Sequence, residues 1–189
     1  MKKIAILASG SGTNAENLIY YFRTKPLGRV EIVLTNKPEA GVIQRAKSLN
    51  VETVVFNREQ FYEGNKIVDL LKEREIDLVV LAGFLWLVPS GLISAFEGRI
   101  VNIHPALLPK YGGKGMYGNH VHKAVVVSGD TESGISIHHV NQEYDEGSII
   151  FQAKCEVREG DSPEILAARI HALEYEHFPK VVEKLLDEL

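Results

Sequence analysis

The first half of the chain alternates between two patterns of hydrophobic residues. Short, continuous apolar segments are typical of strands buried on both faces of a sheet, and they occur at Ile4–Ala8, Val30–Leu34, Thr53–Phe56, Leu78–Ala82 and Ile100–Ile103. Apolar residues at helical spacing predict helices between the first four of these strands, over Asn14–Arg23, Ala40–Leu49 and Gln60–Arg74. Such alternation predicts an α/β fold: a doubly wound, mostly parallel Rossmann-like sheet with helices on both faces.

The pattern changes after residue 103. Two prolines and four glycines within 104–119 predict a long loop, and long loops in compact domains are often functional. A short helix is predicted over Val121–Val127. Two more strand-like segments, Gly134–Val140 and Ser148–Val157, flank a turn. We expect them to form an antiparallel C-terminal addition to the sheet.

A final helix is predicted after Ser162, a favourable N-cap residue that is followed by proline at the first helical position. Pro179 is expected to kink or break this helix near Phe178, because proline has no backbone N–H to donate. No linker, internal repeat or low-complexity segment interrupts the chain. The sequence therefore predicts one domain over residues 1–189.

Composition narrows the classes of protein that fit this fold. The 189 residues are 45% apolar, enough to bury a core, and the single cysteine excludes an intramolecular disulfide. The net charge of −4 argues against a duplex DNA-binding protein. No segment has the ~18–20 apolar residues that span a bilayer, and the apolar segment near Met1 is too short for a signal peptide. We expect a cytoplasmic protein with no nucleic-acid or membrane partner.

The glycine-rich turn Ser9–Asn14 lies between the first predicted strand and the first predicted helix. Free backbone N–H groups at a helix N-terminus bind phosphate well. A dinucleotide site would have a third glycine near Asn14 and an acidic residue after the second strand, where Thr35–Lys37 stands instead. No Walker A lysine follows the turn either, so a monophosphate fits better than NAD or ATP. The alternative is a plain tight turn with Thr13 as the helix cap.

Asn102 and His104 are the second candidate for chemistry. They end a predicted parallel strand, where α/β proteins place their sites, and the alternation of side chains puts both on one face. An amide donor beside an imidazole can stabilise an oxyanion or move a proton. Asp145 is the candidate partner that would keep His104 protonated near neutral pH. The alternatives are a structural histidine and an ordinary turn aspartate.

Metal and nucleophilic chemistry find little support. His120 and His122 share a face only in an extended segment and diverge on the predicted helix. There is no His-Glu-x-x-His motif and no acidic residue at metal-ligand spacing, so we expect no metal. Cys155 falls within a predicted strand, and the chain has no Gly-x-Ser-x-Gly motif for a serine nucleophile.

Four segments together resemble the folate-dependent formyltransferases: Ser9–Asn14, Leu81–Phe84, Asn102–Gly113 and Tyr144–Gly147. The Asn-x-His segment with its Leu-Leu-Pro and a downstream Asp-x-Gly is specific for this superfamily, and the resemblance covers nearly the whole chain. The Ser-Gly-x-Gly-Thr-Asn turn favours the branch whose acceptor is glycinamide ribonucleotide. The resemblance implies transfer of the formyl group of 10-formyltetrahydrofolate to the amine of that acceptor, a step of purine synthesis.

The resemblance also implies roles for individual residues. It assigns catalysis to Asn102, His104 and Asp145. It assigns the ribonucleotide to Gly12, Thr13, Asn14 and Glu174, of which the first three cradle the phosphate. It assigns the folate to Arg58, Leu85, Trp86, Leu87, Val88, Asn102, Val140, Asn141 and Asp145. The phosphate-binding half then covers about 1–100, and the folate-binding and catalytic part about 84–189.

Two features depart from the family pattern. Trp86 stands where a smaller or basic side chain is more usual, and the segment 110–120 is longer and richer in glycine. We expect the glycines to let this segment act as a lid that substrate orders. Arg58 is expected to meet the anionic tail of the folate.

Other functions remain open. Sibling enzymes formylate initiator methionyl-tRNA or hydrolyse formyl-folate, but they normally carry an additional domain, for which we expect no room in 189 residues. A non-enzymatic nucleotide or phosphosugar binder would explain the glycine-rich turn but not the set of Asn102, His104 and Asp145. The expected partners are therefore the two small substrates, and the protein is expected to be a monomer or a homodimer.

Overall fold

The computed structural model describes all 189 residues and contains seven strands and seven helices. The strands are β1 (Lys2–Leu7), β2 (Gly28–Thr35), β3 (Glu52–Val55), β4 (Leu78–Leu81), β5 (Ile100–His104), β6 (Glu132–His139) and β7 (Ile149–Glu156). The helices are α1 (Thr13–Arg23), α2 (Gly41–Ser48), α3 (Arg58–Tyr62), α4 (Lys66–Glu73), α5 (Ser90–Ala95), α6 (Asn119–Ser128) and α7 (Pro163–Asp187).

All seven strands form one sheet in the order β3-β2-β1-β4-β5-β6-β7. The first five strands in this order are parallel. β6 pairs antiparallel with β5, and β7 pairs antiparallel with β6. The predicted α/β fold with an antiparallel C-terminal addition is confirmed. The strand order reverses between β1 and β4, and ligands bind at such a switch point in open α/β sheets.

The strands are continuously apolar because both faces of the sheet are covered. In β1, Ile4 and Ile6 belong to one buried cluster, while Ala5 and Leu7 belong to the other. The first cluster contains side chains of α1, α2, α6 and α7. The second contains side chains of α3, α4 and α5. Helices therefore pack on both faces, as the alternating pattern predicts.

Three local expectations are wrong. The single helix expected over Gln60–Arg74 is two helices, because Gly64 adopts a φ of 86° between them. The helix α5 was not anticipated; six residues are too few to show helical periodicity. Pro179 does not break α7, which continues to Asp187. Buried side chains on both sides of the proline hold the helix against the sheet and outweigh the lost hydrogen bond.

No helix combines the length and the apolar character that crossing a bilayer requires.

Candidate active site

A cleft of about 500 Å³ opens at the carboxyl ends of β1, β4 and β5. The turn after β1 and the segment after β4 line it side by side, joined by hydrogen bonds from Ser9 N to the Gly83 carbonyl oxygen and from Leu85 N to the Ser9 hydroxyl. Side chains from the end of β5 lie at its base, and the glycine-rich segment 113–118 closes a further side. The cleft thus lies at the switch point of the sheet and collects nearly all of the residues singled out from the sequence.

The turn after β1 is held tightly against α2. Gly12 has a φ of 79°, and a Cβ placed there would lie 2.4 Å from a side-chain carbon of Val42. Only glycine fits this position, both for its backbone conformation and for the close approach. Gly12 is also the N-cap residue of α1, and no side chain caps the helix. The alternative of a turn capped by Thr13 is therefore wrong, and the first backbone N–H groups of α1 are left for a ligand.

Asn102 and Asp145 meet at the base of the cleft. The Asn102 side-chain Nδ2 lies 3.3 Å from Oδ1 of Asp145 and 3.1 Å from Nε2 of His138. The other ring nitrogen of His138 faces the carbonyl oxygen of His139 at 2.8 Å, and a carbonyl can only accept. The Nδ1–H of His138 therefore donates to this carbonyl, and Nε2 lies near both the Asn102 amide and, at 3.5 Å, Oδ1 of Asp145. His138 thereby fixes the orientation of the Asn102 amide.

His104 is buried between two acceptors. Its Nε2 lies 2.7 Å from the carbonyl oxygen of Tyr111, and its Nδ1 lies 3.5 Å from Oδ2 of Asp145. Burial lowers the pKa of His104 below its ordinary value, and the carboxylate of Asp145 and the Tyr111 carbonyl offset this only in part. The expectation that Asp145 keeps His104 protonated near neutral pH is therefore wrong for the free protein, because desolvation outweighs the ion pair.

Asp145 is held in an unusual turn. Its φ is 57°, and its Oδ2 accepts a hydrogen bond from the Gly113 backbone N–H at 3.0 Å. A Cβ at Gly147 would lie 1.6 Å from the His139 carbonyl oxygen, so the turn closes only with glycine there. Burial raises the pKa of Asp145, but His138, His104 and the Gly113 N–H outweigh it, and the pKa falls below its usual range. The side chain is ionised at neutral pH.

Glu174 is the second carboxylate in the cleft. It lies on α7 with only 4% of its surface exposed. Its Oε2 accepts a hydrogen bond from Asn14 Nδ2 at 3.0 Å and lies 3.0 Å from Nδ1 of His171. This hydrogen bond raises the pKa of His171, although partial burial opposes the shift. Glu174 is therefore joined to the glycine-rich turn after β1 through Asn14 and is no solvated helix charge.

The residues expected at the folate lie in the segment after β4 and in the turn after β6. Leu85, Trp86, Leu87, Val88, Val140 and Asn141 all line the cleft. The Trp86 ring lies against an aromatic cluster that includes Phe56, Phe61 and Tyr62. Arg58 does not line the cleft; its guanidinium carbon lies 5.5 Å from the centre of the Trp86 ring and 5.2 Å from that of Tyr62. The Trp86 ring thus packs against other aromatic side chains, and the Arg58 guanidinium stacks near its face.

Three residues with direct contacts to this site were missed. His138 holds Asn102, Tyr111 holds His104, and His171 holds Glu174. The hydroxyl of Tyr111 is itself hydrogen bonded to Oγ of Ser128 at 2.6 Å and to Oδ2 of Asp130 at 2.8 Å. The sequence carried a signal only for Tyr111, which directly follows the Leu-Leu-Pro-Lys segment.

The structure contains no group of three histidine, cysteine, aspartate or glutamate side chains that could hold a metal ion. Cys155 lies on β7 and is partly buried, and burial raises the pKa of its thiol. It does not line the cleft.

The matching family model is that of the formyl transferases, which covers residues 2–182. The chain belongs to this family. Phosphoribosylglycinamide formyltransferase of Haemophilus influenzae is 37% identical over 188 residues, which cover 97% of this chain and 86% of that one. The crystal structure of the Streptococcus pneumoniae enzyme of the same name is 39% identical, with a TM-score of 0.86 and coverage of 98% and 99%.

Formyl transferases also include longer chains. The chloroplastic phosphoribosylglycinamide formyltransferase of Vigna unguiculata is 41% identical over 192 residues, which cover 99% of this chain but 62% of the plant protein. The chain thus spans less than two thirds of the length of that plant relative. Its sheet topology is the one found in the solved bacterial members of the formyl transferase family.

Proposed function

We propose that the protein transfers the formyl group of 10-formyltetrahydrofolate to the amine of glycinamide ribonucleotide, in the synthesis of purines. One observation carries this proposal: the Asp145 carboxylate lies 3.3 Å from the Asn102 amide and 3.5 Å from the His104 ring, in a cleft that the Gly12 turn also lines. The turn suits a phosphate, and the cluster suits acyl transfer to an amine. The names of the relatives support the same acceptor.

In this mechanism the amine nitrogen attacks the formyl carbon. The new N–C bond forms while the carbonyl π electrons move onto oxygen and create a tetrahedral anion. The Asn102 amide N–H donates to this oxygen. The negative charge on the oxygen favours the cationic form of His104, so that positive charge develops beside the oxygen. The ionised Asp145 accepts the proton that leaves the amine. The C–N10 bond then breaks, and N10 of the folate takes the proton that Asp145 received from the amine.

The two walls of the cleft divide the substrates between them. Gly12, Thr13 and Asn14 hold the phosphate, and Glu174 accepts hydrogen bonds from the ribonucleotide. The apolar segment Leu85–Val88 and the 140–145 turn hold the pterin of the folate, and Arg58 meets its acidic tail. The attacking amine and the formyl carbon then meet at the base of the cleft, where no covalent intermediate with the protein is required.

The decisive experiment supplies the purified protein with both substrates and records release of tetrahydrofolate. Release that depends on glycinamide ribonucleotide supports the proposal. Equal release without the ribonucleotide would identify a formyl-folate hydrolase instead, and formylation of methionyl-tRNA would identify the other sibling activity. Binding of both small molecules with no turnover would leave a phosphosugar-binding protein. A single domain, a cytoplasmic location and a monomeric or homodimeric state stay predictions that accompany this proposal.

A further inference from the structure

The charges that line the cleft are unfavourable for the substrate that it is proposed to hold. Three carboxylates line it, those of Glu143, Asp145 and Glu174, but only one lysine and no arginine. That lysine is Lys114. The phosphate of the acceptor carries up to two negative charges, so the cleft without Lys114 would repel it.

The histidines of the cleft differ in how readily they carry positive charge. Burial lowers the pKa of His104 and of His122, so both are largely neutral at pH 7. Only the pKa of His171 is raised, and that ring faces the carboxylate of Glu174. The nearest arginine behind the turn is Arg45, whose guanidinium donates to the Ser11 carbonyl and pairs with Glu16.

The backbone brings Lys114 to this position. It lies between Gly113 and Gly115, whose φ angles of 94° and 86° few other residues adopt. The Gly113 N–H donates to Asp145, which ties the segment to the base of the cleft. The segment then runs into α6, where His122 is buried, lines the cleft and leaves its Nδ1 without a partner. Lys114 therefore lines the same cleft as Asp145, His122 and Glu174.

We propose that Lys114 binds the phosphate of the acceptor substrate together with the Gly12 turn. The proposal rests on the proposed function and names the residue that makes the site attractive to a phosphate monoester. The backbone N–H groups of the turn orient the phosphate by hydrogen bonds, and Lys114 supplies a permanent positive charge. The folate side has a cation of its own at the rim, Arg58.

The test measures kcat/KM for two acceptors, glycinamide ribonucleotide and the same molecule without its phosphate. Lys114→Met is expected to lower kcat/KM for the phosphorylated acceptor by about ten- to hundredfold, the size of a charged hydrogen bond. It should change the value for the dephosphorylated acceptor by no more than about twofold. Lys114→Arg should recover most of the loss. Lys123→Met, which removes an exposed lysine of α6 outside the cleft, is the matched control and should behave as wild type.

Three outcomes would overturn the proposal. An equal loss with both acceptors would mean that the substitution disturbs the segment and not a phosphate contact. A rise confined to the KM for formyl-folate would place the lysine on the folate carboxylates. Wild-type behaviour of Lys114→Met would show that the turn holds the phosphate alone.

Calorimetric titration with ribose 5-phosphate separates this inference from the proposed function, because it requires no catalysis. Wild type is expected to bind the probe, and Lys114→Met is expected to bind it about ten- to hundredfold more weakly. If transfer fails with wild type but this difference in binding persists, the proposed reaction is wrong and the phosphate subsite stands. If both proteins bind the probe equally or not at all, the role of Lys114 is wrong.

Discussion

The cleft contains two carboxylate–imidazole pairs that differ in almost every respect. Asp145 and His104 lie at its base, on a strained turn and a strand end, and the His104 side chain is 4% exposed. Glu174 and His171 lie on one helix, three residues apart, and the His171 side chain is 49% exposed. The pKa of His104 is lowered by burial, whereas the pKa of His171 is raised by its hydrogen bond to Glu174. Burial and hydrogen bonding thus shift the pKa values of the two imidazoles in opposite directions.

This difference separates chemistry from binding. A buried, largely neutral imidazole can gain a proton when negative charge develops beside it during the reaction. A half-exposed imidazole whose pKa is raised by its carboxylate partner instead orients that carboxylate. We therefore expect the first pair to govern the rate of the chemical step and the second to govern affinity for the acceptor.

Removal of the Asp145 charge should have the largest effect. Asp145→Asn keeps the size of the side chain but eliminates the proton acceptor, and kcat should fall by about 10²–10⁴-fold. Steady-state kinetics with both substrates would measure this, with Glu146→Gln as the control for loss of an adjacent, exposed carboxylate. A kcat close to that of wild type would remove Asp145 from the mechanism.

Glu174→Gln should have the second largest effect and a different signature. The KM for the ribonucleotide should rise by about tenfold or more, because a charged hydrogen-bond acceptor is lost, while kcat changes less. Glu176→Gln, on the exposed side of the same helix, should leave both constants unchanged. A fall in kcat with unchanged KM would contradict the division between the two pairs.

Tyr111→Phe tests the support of the first pair. The Tyr111 hydroxyl is anchored to Ser128 and Asp130, and its carbonyl holds His104. Loss of this anchor should lower kcat by about two- to tenfold, the size of an ordinary hydrogen bond, and should shift the pH dependence of kcat. Tyr20→Phe on the exposed face of α1 is the control. A lower thermal stability with an unchanged pH profile would mean that the anchor is only structural.

The smallest effects should appear in the titration of the two histidines. By NMR, His104 should titrate below 6.5 and His171 above it. Asp145→Asn should lower the pKa of His104 further, and Glu174→Gln should lower that of His171. If both rings titrate on the same side of 6.5, burial and pairing do not shift the two pKa values in opposite directions.

The same shifts determine how each ring contributes to stability. His104 has a lowered pKa, so its contribution is present above pH 6.5 and is lost as the pH falls through its folded value. His171 has a raised pKa, so its contribution is present below pH 6.5 and is lost as the pH rises through its folded value. Urea unfolding of His104→Asn and His171→Asn across pH 5–8 should therefore show opposite changes in slope relative to wild type.

The fold was predictable because its main signal is local. The central strands β1 and β4 are buried on both faces over most of their length, and each predicted strand agrees with the observed one to within about two residues. α5 and the break at Gly64 were missed because they depend on six residues and on one backbone angle. The continuity of α7 through Pro179 depends on packing against the sheet, which a local rule for proline does not contain.

The site was predictable only where a strand end or a turn carries its residues. Asn102 and His104 follow from alternation in β5, and the Gly12 turn follows from its position between β1 and α1. Glu174 resembles any other helix charge in sequence, and it becomes buried only because α7 packs against α1 and Asn14 meets it. His138 was hidden for the same reason: its role arises from pairing of β6 with β5, opposite Asn102.

The order of the strands also fixes the distance between the Gly12 turn and His104. The Gly12 turn follows β1 and His104 ends β5, with β4 alone between them. Neighbouring strands are about 4.8 Å apart, so the two positions are separated by about 10 Å across the sheet. If the proposed function is right, this spacing fixes the distance between the phosphate and the amine of an acceptor that reacts. An acceptor with one more methylene in that span should bind by its phosphate yet present its amine beyond the formyl carbon, which would lower kcat and leave its affinity nearly unchanged.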